Sequence, residues 1–253
     1  MPHRARQRSD SGYYHVVPKG IGDQVIFEDD GDRSLYVRLL AEAKRETGVR
    51  LHAYCLMSNH THLVVEDPHD ALSDAMKYVH ERYAMWYAEK IGRTGGILRK
   101  PFWSEPIESD EYLLCAVRYA HANPANALIC KASAYEWSSA KDYLGRAGIA
   151  DTDMVLDMLG GRNGFIEFSQ PENLTLLPFP TSKLANHESD DEMLQIARSV
   201  LGEDPRRLIT HDRETRDRGI ALLASRGFAR NQITRLTGAG RRTVERCMTE
   251  TYR

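Results

Sequence analysis

The sequence predicts an α+β fold, an antiparallel sheet with helices packed on it, followed by a small all-α domain. Three observations carry this expectation. Short runs rich in β-branched and aromatic residues, Tyr13 to Val17 and Val49 to Glu66, read as strands. Two longer segments, Asp32 to Thr47 and Ala71 to Ile91, carry apolar residues at helical spacing. From Asp191 the pattern is helical again.

In chain order, Tyr13 to Val17 is the first strand, and Pro18-Lys19-Gly20 turns the chain. Val25-Ile26-Phe27 is a second short apolar piece. Leu35, Leu39, Leu40 and Ala43 share one face of the first helix, which Gly48 stops. Val49 to Met57 is a strand, Ser58-Asn59 a turn, and His60 to Glu66 the paired strand. Met76, Val79, Tyr83 and Tyr87 form the apolar stripe of the second helix, and Gly92 to Gly96 is a loop. Ile97 to Pro106 is extended. Ser109 caps a third helix with Asp110 and Glu111 in its first turn, where the helix dipole favours acids. That helix is expected to reach about Ala122, with Pro124 ending it. The order strand, helix, strand, strand, helix, strand, helix is that of a ferredoxin-like (RRM-like) core plus one helix.

Residues 148–187 contain Gly160-Gly161, Gly164 and three prolines, and read as a linker with one short helix at Met154 to Leu159. Beyond them, Glu214 to Ser225 is a helix ending at Gly227, Asn231 to Leu236 a short helix, Thr237-Gly238-Ala239-Gly240 a turn, and Arg241 to Thr249 a last helix. This is the outline of a helix-turn-helix. The expected division is therefore a domain at 1–147, a linker at 148–187 and a helical domain at 188–253.

A chain of 253 residues can bury a full core. No apolar run approaches the roughly 18 residues of a membrane helix, and the basic start Met1 to Arg8 leads into no signal-peptide core. That start reads as a frayed tail or as an arm touching phosphate. The four cysteines, Cys55, Cys115, Cys130 and Cys247, form no metal spacing and read as reduced thiols, which makes the cytoplasm the expected compartment. The net charge of −2 hides a segregation. Nine acids face only Arg162 and Lys183 between Asp151 and Glu192, whereas Asp212 to Arg253 holds ten arginines against five acids. A basic end of this kind suits nucleic acid, and a solvated helical face would explain much of it too.

The chemistry lies in two short motifs. Strand alternation points His60 and His62 of His60-Thr61-His62 to one side, where their imidazoles can hold one ion. Tyr119 and Asn123 stand four apart on one helical face. Two imidazoles and a carboxamide would leave open positions for phosphate oxygens, a shell that suits Mg²⁺ or Mn²⁺ better than zinc. A nearby cation would also make the Tyr119 phenol a usable nucleophile. Each motif alone has an ordinary explanation as a surface pair, a core tyrosine or a helix end; the combination points to chemistry.

The set Leu51 to Val65, Glu108 to Leu114, Arg118-Tyr119, Asn123-Pro124 and Tyr135 to Ser139 with Tyr143 resembles the REP-associated tyrosine transposases, single-tyrosine members of the HUH superfamily. The likeness spans about residues 12 to 146. It implies that His60, His62 and Asn123 bind a divalent metal, and that Tyr119 attacks DNA to leave a 5′-phosphotyrosine and a free 3′-hydroxyl. It implies single-stranded, hairpin-forming or palindromic REP elements as substrates, and a protein working in the cytoplasm at the nucleoid. Some relatives act as dimers and others as monomers, so a homodimer is within expectation. Three departures stand out: Thr61 replaces a strongly apolar residue, Lys19-Gly20-Ile21 stands where Arg-Gly-Asn is common, and Lys100-Pro101 stands where Gly-Arg is common. Candidate DNA contacts are Lys77, Arg82, Arg93, Arg99 and Lys100 along a strand, Phe102 or Trp103 stacking on a base, and Arg241, Arg242 and Arg246 on the last helix. The alternative is a domesticated, non-catalytic, sequence-specific DNA-binding protein that keeps the fold and the C-terminal arginines.

Overall fold

The structure, a computed structural model, describes residues 6–92, 95–126, 134–170, 194, 197, 198, 200–225, 228 and 230–251. The described residues divide into two compact units, 6–124 with 134–170, and those from 194 onward together with 125 and 126.

The first unit is built on four antiparallel strands: β1 (Tyr13–Val17), β2 (Arg50–Leu56), β3 (Thr61–Glu66) and β4 (Trp103–Ile107). They lie in the order β2-β3-β1-β4, which is the ferredoxin-like arrangement the sequence predicts. Helices α1 (Asp30–Thr47), α2 (Leu72–Ile91) and α3 (Asp110–Asn126) connect and cover them. Helix α1 starts two residues earlier than its apolar stripe indicates. Asp29 and Asp32 form a reciprocal capping box, so the chain is helical from Asp30. Lys90, near the end of α2, bonds both carboxylates at 2.7 Å and ties the two helices together.

Alternation gives the sheet two different faces. Tyr14, Val16, Tyr54, Leu56, Leu63 and Val65 point into a core closed by α1 and α2, with Phe27, Tyr36 and Tyr83 packed edge to face at 5.1–5.6 Å. Ala53, Val64 and Ile107 point the other way, against Leu113, Ala116, Val117 and Ala120 of α3. A bulge between Leu51 and Ala53 keeps both alternations in phase. The exposed edge of β2 is covered by the segment after α3. Leu56 donates to the Trp137 carbonyl, and Ser139 donates to that of Tyr54.

Three expectations change. Pro124 lies inside α3 and does not end it. Proline's fixed φ fits a helix and removes only one donor, and the Asn123 side chain adds a bond from Nδ2 to the Tyr119 carbonyl at 2.9 Å. Second, residues 148–170 are not linker. They form α5 (Asp153–Met158) and α6 (Arg162–Phe168), after a single turn, α4 (Ala140–Tyr143). Val155 and Phe165 are buried in the α3 layer, with Phe165 stacked on Tyr143 at 4.5 Å. The first unit thus runs past 147, and the remainder of the expected linker, 171–187, lies outside the described residues. Third, Arg6 and Arg8 of the basic start pair with Asp70, and Arg6 lies over the Tyr14 ring at 4.8 Å. These two cations are held by the fold.

The second unit contains a 3-10 turn (Pro205–Thr210), α7 (Arg213–Ser225), α8 (Arg230–Thr237) and α9 (Arg241–Thr251). Leu208, Ile220, Leu223, Phe228, Ile233, Leu236, Val244 and Cys247 make its core. Helices α8 and α9 are separated by Gly238, Ala239 and Gly240, and Gly238 takes φ +73°, a left-handed turn that glycine adopts without strain. The expected stop at Gly227 and the helical pattern from Asp191 fall largely outside the described residues. Cys55, Cys115 and Cys247 are buried and form no disulfide among the described residues. No described helix is long and apolar enough to cross a membrane.

Burial has a measurable consequence on α2. The His80 imidazole is enclosed beside Phe102, and desolvation, aided by Lys100, pushes its pKa down to about 4. The unfolded chain takes this proton near pH 6.5, the folded chain only near 4, so stability from this group is intact above 6.5 and is lost as pH falls between the two values. Between pH 7 and 5 the loss is about 2 kcal/mol. Urea denaturation at both pH values should show His80→Met losing less stability than the parent by about that amount. Equal losses would assign the acid sensitivity to other groups.

Candidate active site

The site begins where β3 begins. His60 directly precedes the strand, in a bridge with Lys19, and His62 is its second residue. Thr61 between them points into the α1/α2 core, where its hydroxyl faces that of Tyr36. His60 and His62 both turn toward the α3 layer. Their Nε2 atoms are 3.0 Å apart and their rings perpendicular. Both are buried, at 1% and 2% exposure. Burial first, then His60, His15 and Lys19 nearby, holds the His62 pKa well below the ordinary value, so the ring is neutral, as a metal ligand must be.

The register of β1 against β3 adds a third imidazole. His15 lies opposite Val64 and diagonal to His62, and its Nε2 stands 3.1 Å from His62 Nδ1 with the rings stacked. On its other side His15 faces Glu105 of β4 in register, and the edge of Trp103 lies 5.5 Å away. At the far end of the row, Asn59 Oδ1 lies 2.7 Å from His60 Nδ1. The three histidines thus form a line, Nε2 to Nδ1 and Nε2 to Nε2, ending on a carboxamide.

Helix α3 brings the tyrosine. Ala116 and Ala120 let the helix approach the sheet closely, and the Tyr119 ring stands perpendicular to His62 with centroids 5.2 Å apart. His15 is 6.1 Å from the same ring. Asn123 is buried one turn further on; its Nδ2 is used on the Tyr119 carbonyl, so Oδ1 is its remaining donor atom. Two contacts hold this helix in place. Arg118 lies over the Phe168 ring at 4.4 Å and donates to the Phe168 carbonyl. His121 Nε2 lies 2.8 Å from Ser139 Oγ, and burial pushes its pKa down to about 3. That Ser-His pair is enclosed by Tyr143 and Phe165 and works as a pin between α3 and the β2 edge.

The donor set fits a divalent cation. Two nitrogens bound at about 2.1 Å in neighbouring octahedral positions are about 3.0 Å apart, which is the His60–His62 spacing. Among the described residues no three His, Cys, Asp or Glu side chains converge on one point, so further ligands would be amide or substrate oxygens.

Of the basic candidates, the structure gathers some and leaves others apart. Arg99 and Lys100 are exposed at the His60 end of the sheet, where Arg99 N–H bonds the Lys19 carbonyl. Gly20 joins this end to Asn59 by a bond from its N–H at 2.8 Å, and a side chain there would strike the Gln24 carbonyl. Lys77 and Arg82 sit on α2, which packs on the opposite face, and Arg82 lies over Tyr78 at 3.6 Å. Arg93 lies outside the described residues. In the second unit Arg241 and Arg242 are exposed at the start of α9, with Arg241 3.8 Å from Glu245. Arg246 is bonded to Asp217 of α7 at 2.6 Å and serves the fold of that unit. Sequence reading missed His15 and Asn59 as members of the site and marked Lys19 only as a departure from the family pattern; the pairing of strands far apart in sequence assembles them.

Comparison with known proteins agrees with the fold. Residues 9–121 match the family model described as transposase IS200 like. No curated protein matches the chain. Among solved structures, a REP-associated tyrosine transposase bound to a REP hairpin superposes with a TM-score of 0.50 and 14% identity, over 60% of this chain and 96% of that one. At that identity the likeness establishes the fold. Residues 9–121 are thus similar to the IS200-like transposases, and the first unit shares its fold with a REP-associated tyrosine transposase.

Proposed function

We propose that the first unit cleaves and rejoins single-stranded or hairpin DNA through a covalent link to Tyr119. The observation that carries this reading is the Tyr119 ring at 5.2 Å from His62, beside two Nε2 atoms spaced for one cation. His60 and His62, with Asn123 Oδ1, would hold Mg²⁺ or Mn²⁺, which would supply polarisation of the scissile phosphoryl oxygen and favour the phenolate. The phenol oxygen would attack phosphorus, and the DNA 3′-oxygen would leave and take up a proton, giving a 5′-phosphotyrosine and a free 3′-hydroxyl. Lys19, Arg99 and Lys100 at the same end of the sheet would bind flanking phosphates, and Trp103 offers an aromatic edge for a base. The fixed α3 supplies alignment of attacking and leaving oxygens, the main contribution a protein makes to phosphoryl transfer. All these groups belong to one chain, so a monomer would suffice. The hairpin bound by the structural neighbour suggests a hairpin here too, and a protein of this kind would act at the nucleoid in the cytoplasm.

A second reading, DNA binding without cleavage, draws support from the burial of Tyr119, which is 5% exposed. The two readings separate in one experiment. With a hairpin oligonucleotide and Mn²⁺, the protein should form an SDS-resistant adduct, and Tyr119→Phe should form none while its hairpin affinity stays within about threefold. A parent protein that binds the hairpin yet never forms the adduct would establish the binding-only reading.

We also assign the helix-turn-helix of α8 and α9 to duplex or hairpin-stem contact through Arg241 and Arg242. Replacing both by alanine should lower DNA affinity and reduce the slope of log affinity against log salt by about 2. Arg246→Ala should instead lower the unit's thermal stability modestly, because it removes the bond that ties α9 to Asp217 of α7, where Arg216 remains as a partner. An unchanged salt slope in the double variant would remove α9 from the DNA interface.

A further inference from the structure

His15 stands in no motif, and the proposed chemistry gives it no role. It is fully buried, and its Nε2 lies 3.1 Å from Nδ1 of His62. The row has a consequence for proton positions. Asn59 Oδ1 can only accept, so His60 carries its proton on Nδ1 and turns a lone pair on Nε2 toward His62. Without a cation, the 3.0 Å contact between the two Nε2 atoms needs a proton, which His62 must supply from Nε2. His62 Nδ1 then accepts from His15 Nε2–H. With a cation, both Nε2 atoms must offer lone pairs, so the proton of His62 has to reside on Nδ1, where the nearby acceptor is Nε2 of His15.

Resting on the metal-dependent reading above, we propose that His15 is a positioning residue for His62, alternating between donor and acceptor so that His62 can change tautomer when a divalent cation binds. The Nε2 proton of His15 passes to Nδ1 of His62, the cation displaces the Nε2 proton of His62 to water, and His15 takes up one proton from water on Nδ1. Neither ring changes charge, and one proton is released for one taken up. A metal-ligating histidine whose outer nitrogen lacks a partner holds its ion more weakly, and loss of such a partner typically costs 10–100-fold in affinity.

The test uses the full chain labelled with ¹⁵N-histidine. Long-range ¹⁵N–¹H spectra should show His62 as the Nε2–H tautomer without metal and as Nδ1–H when Mg²⁺ saturates the site. Free Mn²⁺ followed by electron paramagnetic resonance should show His15→Leu binding about 10–100-fold more weakly than the parent. His15→Gln, whose carboxamide can both donate and accept near the Nε2 position, should bind within about threefold of it. A parent His62 that keeps one tautomer with and without Mg²⁺ overturns the proposal, as does a folded His15→Leu with parental Mn²⁺ affinity. A parent chain that takes up no Mn²⁺ at all overturns the metal-dependent reading as well, so the two failures are distinguishable.

Discussion

The close approach of α3 to one face of the sheet is the constraint on which the site depends. Only a helix with alanines at Ala116 and Ala120 can settle deeply enough over Ala53 and Val64 to bring a tyrosine ring to 5.2 Å from His62. The same layer must leave room for three imidazoles at its end, so packing against Leu113 and Val117 gives way to the histidine row as the strands run toward Lys19. Arg118 on Phe168 and His121 on Ser139 then fix the helix from two sides, on either side of Tyr119 in sequence. The segment from 134 to 170, which by composition is largely loop, is thus a brace for α3 as well as a cover for an edge strand.

Much of this was legible in the chain. Strand alternation in His60 to Glu66 assigned the two histidines to one face and Thr61 to the other. The helical stripe of Asp32 to Thr47 and the four-residue spacing of Tyr119 and Asn123 were equally local signals. What escaped was non-local or unpatterned. His15 is one residue in a five-residue strand, and nothing in Tyr-Tyr-His-Val-Val marks it as a neighbour of His62 until β1 pairs with β3. Helix α6 has two glycines nearby and one buried residue, Phe165, too few for a periodic pattern. Pro124 misled because the rule about helix ends concerns a lost donor, and a neighbouring asparagine side chain can bond a carbonyl of the same turn.

The arginine excess at the C-terminal end illustrates a different limit of composition. Counting charges makes that end strongly basic, but several of the cations are spent within the unit. Arg230 pairs with Glu245, Arg218 with Glu214, and Arg246 with Asp217. Exposed pairs of this kind add little stability, yet they lower the charge presented to a polyanion. The charge left for a polyanion is smaller than the sequence implies, although Arg241 and Arg242 stand exposed at the start of α9.

Under the proposed function, burial would let a row of histidines serve a polyanionic substrate without being ionised by it. An exposed imidazole near DNA phosphates would be drawn toward protonation, and a protonated ring cannot ligate a cation. Enclosure between the sheet and α3 acts in the opposite direction, holding His62 neutral well below its usual titration range. Lys19 beside the row adds to that effect while offering its own charge to a phosphate. Attraction for a substrate and neutrality of the ligands, which would conflict on an open surface, would on this reading be divided between a basic rim and a desolvated row beneath it.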